Sequence, residues 1–574
     1  MNSIYFYSTI ISIICVYILG NLNRVLRNVF VSVFLVFSFL YFYSIDSTKL
    51  TINFFGFESL NLNFSKTDFS YSFLILNHIL FFFFILRELF RSPRESENSY
   101  FMNICFIFAL LNIIFVSNDF ITIYIFFEIL FFILVITLTI NLNDYKSSEN
   151  ILLVNLFGSL LLLSVIVVIT SNKSFSNYPS FFYIVLYISV ALRTLVLPLS
   201  TFFKKELTKS DFNFIGIFTM SIFLSGFFIM GFLYNNFLIS QHILPNISKF
   251  FIYLFFLLTL FVFSIESLIS NDLKLSMFNF SGAIFVTNLL IFLYYSDFSF
   301  GYLINVILYF IPLTFIFVFF DYIEDKFKTS NFNFLFNLFY LKPISSFVII
   351  LSLLSLSFLY PTMGFYLFRE PLFNLSYNSF PIFFVFLIYL LFYISLTLKL
   401  LYLLFIQKSN ISETKTIKSS EFLISVLTIP FLIPILCYGI LKYVNGYSSF
   451  ISHLIFGILG AIILLLLLKL KDDGYNPVIL PTSNSEEYFY IHGRKNSIIG
   501  DLLNFNFDLS PNQKVLQSFL EKTDLNKIFY SIKVFLEDFS LTILKLYQRS
   551  FSATIFILLI FFIFLLIIFY RGNL

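Results

Sequence analysis

The sequence predicts an all-α polytopic membrane protein of about sixteen transmembrane helices, on three observations. Of its 574 residues, 59% are hydrophobic and only 11% charged, too few to clothe a water-soluble surface, for which soluble domains use roughly a quarter of their residues. The apolar residues gather in runs near the ~20 residues that a spanning helix needs. Those runs are apolar on every side, as from Phe250 to Phe263, whereas the strands of a membrane β-barrel alternate apolar and polar positions over about ten residues.

Taken in order, the runs lie at 3–20, 27–45, 69–91, 100–117, 119–141, 150–171, 179–199, 212–235, 250–270, 275–296, 300–320, 343–360, 380–406, 421–441, 451–470 and 551–570. The longer connections are 46–68, 200–211, 321–342 and 471–548. The last opens with Lys471 to Gly474, Pro477 and Pro481. It continues with Val515, Leu516, Phe519, Leu520, Ile528, Phe529, Ile532, Phe535 and Leu536 at steps of mostly three and four, the period of an amphipathic helix. Such a helix fits a membrane surface or a strap across partner subunits equally well.

Charge and composition narrow the function. A net charge of +4 without a long basic tract excludes a nucleic-acid surface. Three cysteines, Cys15, Cys105 and Cys437, are scattered through apolar stretches without metal-ligand spacing, so they read as packing residues and no iron–sulfur or zinc site is encoded. His78, His242, His453 and His492 do not form the paired intramembrane set that haems require. No cofactor is expected in this chain. The first apolar run begins almost at Met1 without a basic or Arg-rich leader, so neither a secretory signal nor a transit peptide is expected. Phe 90 and Tyr 35 against Gly 17, Pro 14 and Trp 0 is the residue set of A+T-rich codons, which points to an organellar gene. Arg24, Arg27, Arg91, Arg94, Lys146, Lys204, Lys205 and Lys274 do not alternate cleanly between successive loops, so charge assigns no orientation.

Ionisable residues inside apolar runs are the informative positions, because each costs at least about 2.5 kcal/mol at the centre of a bilayer unless it is satisfied. Glu128 sits mid-run between Ile121 and Ile136, as part of an ion path or as a neutral, hydrogen-bonded core carboxyl. Arg193 precedes Pro198, which breaks a helix, so it either lines a polar cavity or snorkels from a helix end. Lys399 lies deep in its run and suits reversible proton carriage. Arg369 and Glu370 follow Pro361 and Gly364, a second interrupted helix in the second half of the chain. Two interrupted segments in corresponding halves indicate inverted repeats. Glu266 near the end of its run is interior or interfacial.

Several segments, in order, resemble the antiporter-like membrane subunits of respiratory complex I. Ser117 to Glu128 followed by Glu149 to Leu163 resembles their Glu-bearing helix and the next one. Arg193-Thr-Leu-Val-Leu-Pro198-Leu-Ser200 is similar to their first broken helix, where a lysine precedes Pro-x-His. Asn271-Asp272-Leu273-Lys274 resembles their Asp-Leu-Lys loop, and Pro361-Thr-Met-Gly364-Phe365 the Pro-x-x-Gly-Phe of the second broken helix. The likeness covers residues 100 to 440, with Arg193 in place of the lysine and Ser200 in place of the histidine.

The resemblance implies two inverted five-helix repeats containing broken helices and a proton path through Glu128, Arg193, Lys399, Arg369, Glu370 and Glu266, with helix breaks at Pro198, Pro361 and Gly364 and the loop motif Asp272 and Lys274. It divides the chain into N-terminal helices (1–99), a first repeat (100–240), a second repeat (241–410), additional helices (411–470), a polar loop with amphipathic helix (471–548) and a C-terminal anchor (549–574). The implied role is proton translocation as a subunit of mitochondrial NADH:ubiquinone reductase in the inner membrane, among other membrane-arm subunits and lipid. NADH, FMN, iron–sulfur clusters and ubiquinone then belong to the rest of the complex. Subunit 2 is the nearer paralogue and subunit 5 the next. A non-pumping structural subunit and a free-standing cation/proton antiporter are the alternatives.

Overall fold

The computed structural model describes residues 2–44, 50–53, 61–64, 67–91, 97–142, 151, 155, 158–167, 180–194, 204, 206–233, 246–270, 272–294, 310–327, 330, 342–356, 362, 397, 400 and 419–436. In chain order these form α1 (Asn2–Leu22), α2 (Arg24–Ser44), β1 (Leu50–Asn53), β2 (Asn61–Phe64), α3 (Asp68–Leu89), α4 (Glu97–Val116), α5 (Phe120–Leu142), α6 (Gly158–Val167), α7 (Ser180–Arg193), α8 (Phe212–Leu233), α9 (Asn246–Ile269), α10 (Leu273–Tyr294), α11 (Phe310–Phe327), α12 (Pro343–Leu356) and α13 (Ser419–Leu436). The chain is a multi-pass, predominantly helical membrane protein. Among the described residues, Phe69–Leu89, Glu97–Val116, Phe120–Leu142, Phe212–Phe232 and Leu273–Leu290 are long and apolar enough to cross a bilayer. The amphipathic segment of 471–548 and the C-terminal anchor lie outside the described residues.

Helix α8 is the centre of the bundle. Phe212–Phe232 is buried throughout, as expected of a helix apolar on all sides. Helices α3, α4, α5, α7, α10 and α11 pack against it. Gly216 lets α3 and α11 approach α8 together: a Cβ there would stand 2.6 Å from Phe84 and 2.9 Å from the Cβ of Phe317. Elsewhere phenylalanines fill the seams. Phe223 stacks on Phe285 with centroids 4.5 Å apart, and Phe73, Phe115 and Phe228 meet pairwise at 5.3 Å.

The two ends of the bundle differ in chemistry. At one end Phe64 bridges to Ser117, Phe120 meets Phe232 and Phe69 stacks on Phe228, so the starts of α3 and α5 lie beside the ends of α4 and α8. The hairpin belongs here. The connection 46–68 was expected as a loop, but Leu50-Thr-Ile-Asn53 and Asn61-Leu-Asn-Phe64 both have the period of two that suits strands, and they pair antiparallel with Leu50 opposite Phe64.

At the other end α3 and α11 finish where α8 and α10 begin, and charge is concentrated there. Arg87 pairs with Asp321 at 2.7 Å and with Asp325. Arg91 reaches Asp211 at 3.0 Å, Asp321 at 3.4 Å and Glu88 at 3.4 Å, while Lys274 meets Glu324 at 2.5 Å. Asn213 donates to Glu88 at 2.7 Å, and Arg24 donates to the Arg91 carbonyl at 2.5 Å. Burial opposes the charge on Arg91, but Asp321, Glu88, Asp211 and Asp325 outweigh it and hold its pKa above the ordinary arginine value.

This layer explains two departures from the sequence reading. A span over 300–320 followed by a loop was expected, whereas α11 continues to Phe327 because Asp321, Glu324 and Asp325 each find a cation inside the bundle. Cations that looked unordered along the chain, Arg24, Arg91 and Lys274, gather at the same end through Arg91, Asp325, Asp321 and Glu324 on adjoining turns.

Arg87 and Asp321 are almost wholly buried, so removing one partner strands a charge. Arg87→Ala is expected to destabilise the protein by about 3–5 kcal/mol. Lys209→Ala, which breaks an exposed pair with Glu206 one turn away, should change stability by no more than about 0.5 kcal/mol. Denaturation of the two variants in the same detergent measures the contrast.

Candidate functional site

The site is built from α5, α6 and α7. Asp119 starts α5 by accepting from Thr122 N at 2.6 Å, an N-cap. Glu128 therefore lies eight residues past Phe120, about 12 Å into the helix at 1.5 Å per residue. On its N-terminal side Tyr124 shares its face, being four residues away.

Arg193 is in the last turn of α7, and the Thr194 amide reaches back to the carbonyls of Val190 and Ala191 at 3.1 Å each. A cation near the C-terminal end of a helix is favourably placed against the backbone dipoles. The guanidinium forms a two-pronged bond to Glu128, with Nη1 on Oε1 and Nη2 on Oε2, the latter at 3.1 Å. It also sits over the Phe127 ring at 4.5 Å. Ser159 of α6 donates to Glu128 Oε1, and the Tyr124 hydroxyl lies 3.1 Å from Ser159 Oγ. Arg193 is fully buried while 28% of the Glu128 side chain stays exposed.

Gly226 of α8 makes room for this corner: a Cβ there would collide with Thr194, the residue after Arg193. Here glycine is a packing requirement, although it is a poor helix former.

The geometry sets what each group can do. An arginine keeps its proton in a protein, so Arg193 contributes a fixed positive charge. Glu128 is the member of the pair that can gain or lose a proton, and its protonation would release the fork. The serine hydroxyl follows either state by turning.

Of the other predicted residues, Glu266 on α9 pairs with Lys204. Asp272 caps α10 by accepting from Lys274 N at 2.8 Å, and Lys274 pairs with Glu324. Lys399, Arg369, Glu370, Pro198, Pro361 and Gly364 lie outside the described residues. His78 is a packing residue: Nδ1 donates to the Leu74 carbonyl at 2.7 Å, Nε2 lies 3.2 Å from Ser38 Oγ, and Phe108 meets the ring edge-on. Cys105 is buried and free. Among the described residues no cluster of His, Cys, Asp and Glu suits a metal.

Sequence reasoning did not single out Tyr124 and Ser159 as site residues, nor Lys204 as the partner of Glu266. Tyr124 was accessible from its spacing to Glu128. Ser159 carried no signal beyond being polar in an apolar run. Also missed is the buried trio in which Glu421 of α13 accepts from Lys342 at 2.7 Å and from Ser345 at 2.5 Å.

No family model matches the sequence, and no curated protein matches it. Solved structures do match the fold. A chain of respiratory complex I from Thermus thermophilus with bound NADH aligns at TM-score 0.60 and 12% identity, covering 79% of this chain and 99% of that one. A chain of the same complex with bound aureothin aligns at TM-score 0.58 and 12% identity, over 75% and 97%. A chain of the membrane-bound sulfane sulfur reductase, an archaeal respiratory membrane complex, aligns at 0.61 and 13%, over 76% and 93%. The fold is one found in respiratory membrane complexes. In this respiratory-complex fold the Glu128–Arg193 fork joins α5 to α7 inside the bundle.

Exchange of a helical glycine for alanine ordinarily stabilises by about 1 kcal/mol. Gly226→Ala should do the reverse, because the added methyl meets Thr194. A lower melting temperature for this variant, with Gly231→Ala as a comparison against the single ring of Phe69, tests the packing at the site.

Proposed function

We propose that the chain is a proton-translocating, antiporter-like membrane-arm subunit of mitochondrial NADH:ubiquinone oxidoreductase. On this reading it has sixteen spans with two inverted five-helix repeats, and it is a divergent subunit 2, with subunit 5 the next candidate. It holds no redox centre; NADH, FMN, iron–sulfur clusters and ubiquinone belong to its partners. The observation that carries the reading is the fork between the part-exposed Glu128 carboxylate and the buried Arg193 guanidinium, in a fold whose likeness covers at least 93% of each of three respiratory-complex chains. The guanidinium and the Ser159 hydroxyl hold this carboxylate on one side while part of it stays exposed, so rearrangements that alter water access act directly on the pairing.

A structural subunit that no longer moves protons is the second reading. It draws on α8, where the fully buried stretch Phe212–Phe232 contains no titratable side chain. A free-standing antiporter would purify away from any NADH-oxidising assembly, whereas the proposed subunit co-purifies with one.

Glu128→Gln in the assembled complex is expected to abolish the share of proton pumping carried by this chain while NADH oxidation persists. The double variant Glu128→Gln/Arg193→Gln removes both charges together and controls for a stranded arginine. Unchanged proton stoichiometry in both would favour the structural reading.

A further inference from the structure

If Arg193 is a fixed charge, the first half of the chain needs another group that can release a proton. Lys204 stands eleven residues further along and is buried, with 8% of its side chain exposed. Its Nζ donates to Glu266 Oε2 on α9 and lies 4.8 Å from the centre of the Phe263 ring, one turn earlier on the same helix. Glu266 is 40% exposed, so the pair has one dry member and one that meets the surroundings.

We propose that Lys204 and Glu266 form a reversible protonation site of this chain, with Lys204 as the proton carrier where Arg193 can act only as a fixed charge. The assignment rests on the proton-translocating reading given above. In the exchange step an Nζ–H bond breaks and a proton passes to Glu266 Oε2, where an O–H bond forms. The ion pair becomes a neutral amine beside a neutral acid. Glu266 then releases the proton to water, and Lys204 is reprotonated from water. The Glu128–Arg193 pair cannot follow this course, because a guanidinium does not give up its proton.

The surroundings suit the exchange. Burial favours the neutral amine and lowers the Lys204 pKa, with Glu266 opposing only part of that shift. Phe263 offers a ring face to the cation and no hydrogen bond to the amine, so it holds the charged state without pinning it. Among the described residues Glu266 is the charged group facing Lys204; Glu206 and Lys209, on the following turns, pair with each other at 2.6 Å. Both members of the proposed site come from segments on either side of α8, so a shift of α9 against the Lys204 segment would open the pair.

Substitution by arginine separates carrying a proton from merely being a cation. In sealed vesicles bearing the assembled complex, with proton uptake followed by a pH-sensitive dye, Lys204→Arg is expected to assemble normally and lose this chain's share of pumping. Glu266→Gln should lose it too, and Lys209→Arg, at the exposed pair with Glu206, should retain it. In parallel, competitive acetylation of the wild-type complex over a pH series, read by mass spectrometry, should give Lys204 a lower titration midpoint than exposed Lys209. Full pumping by Lys204→Arg, or equal midpoints for the two lysines, would overturn the assignment. Wild-type vesicles with no proton movement attributable to this chain would instead sink the translocation reading on which it rests.

Discussion

A buried charge is costly without a partner, and the ion pairs that meet this cost tie the helices of the bundle to one another. Glu128 on α5 requires Arg193, which ties α7 to α5. Arg87 at the end of α3 requires Asp321 and Asp325, which keeps α11 helical beyond its apolar stretch. Lys274 requires Glu324, which joins the start of α10 to α11. Lys342 and Glu421 bind the start of α12 to the start of α13. Apolar packing brings the helices together without specifying which turn meets which; the ion pairs supply that register.

The pairs are not chemically equivalent. Those built on arginine hold one member permanently charged, so they serve as fixed points around which a carboxylate can change state. Those built on lysine have no permanently charged member, and among the described residues they occur at Lys204, Lys209, Lys274 and Lys342, each beside a glutamate. Arg193, at the centre of the site, is a fixed charge.

Much of the fold was legible in the sequence because hydrophobic length is a strong signal: the runs at 69–91, 100–117, 119–141 and 212–235 agree with α3, α4, α5 and α8 to within a few residues. Glu128 and Arg193 were legible for the same reason, each being an isolated ionisable residue in an apolar setting. What could not be read was partnership. Asp321, Glu324 and Asp325 resembled loop charge because their cations are about 50 to 240 residues away in sequence, at Lys274, Arg91 and Arg87. Ser159 needed the three-dimensional contact with Glu128 to acquire meaning. The hairpin at β1 and β2 was hidden by its shortness, four residues per strand, although its alternation was present.

The same division between burial and partnership accounts for a fold that persists at 12–13% identity. A packed apolar interior tolerates exchange among apolar residues when the total volume is kept, so a helix such as α8 can carry phenylalanine at many positions and remain buried on all sides. Rewriting stops where a neighbouring side chain fills the space that a Cβ would need, as at Gly216 and Gly226, and where a charge depends on another charge. Arg193 satisfies Glu128 with two hydrogen bonds and carries a charge that it does not give up. Constraint on charge and on close packing therefore preserves the architecture while much of the apolar sequence can change.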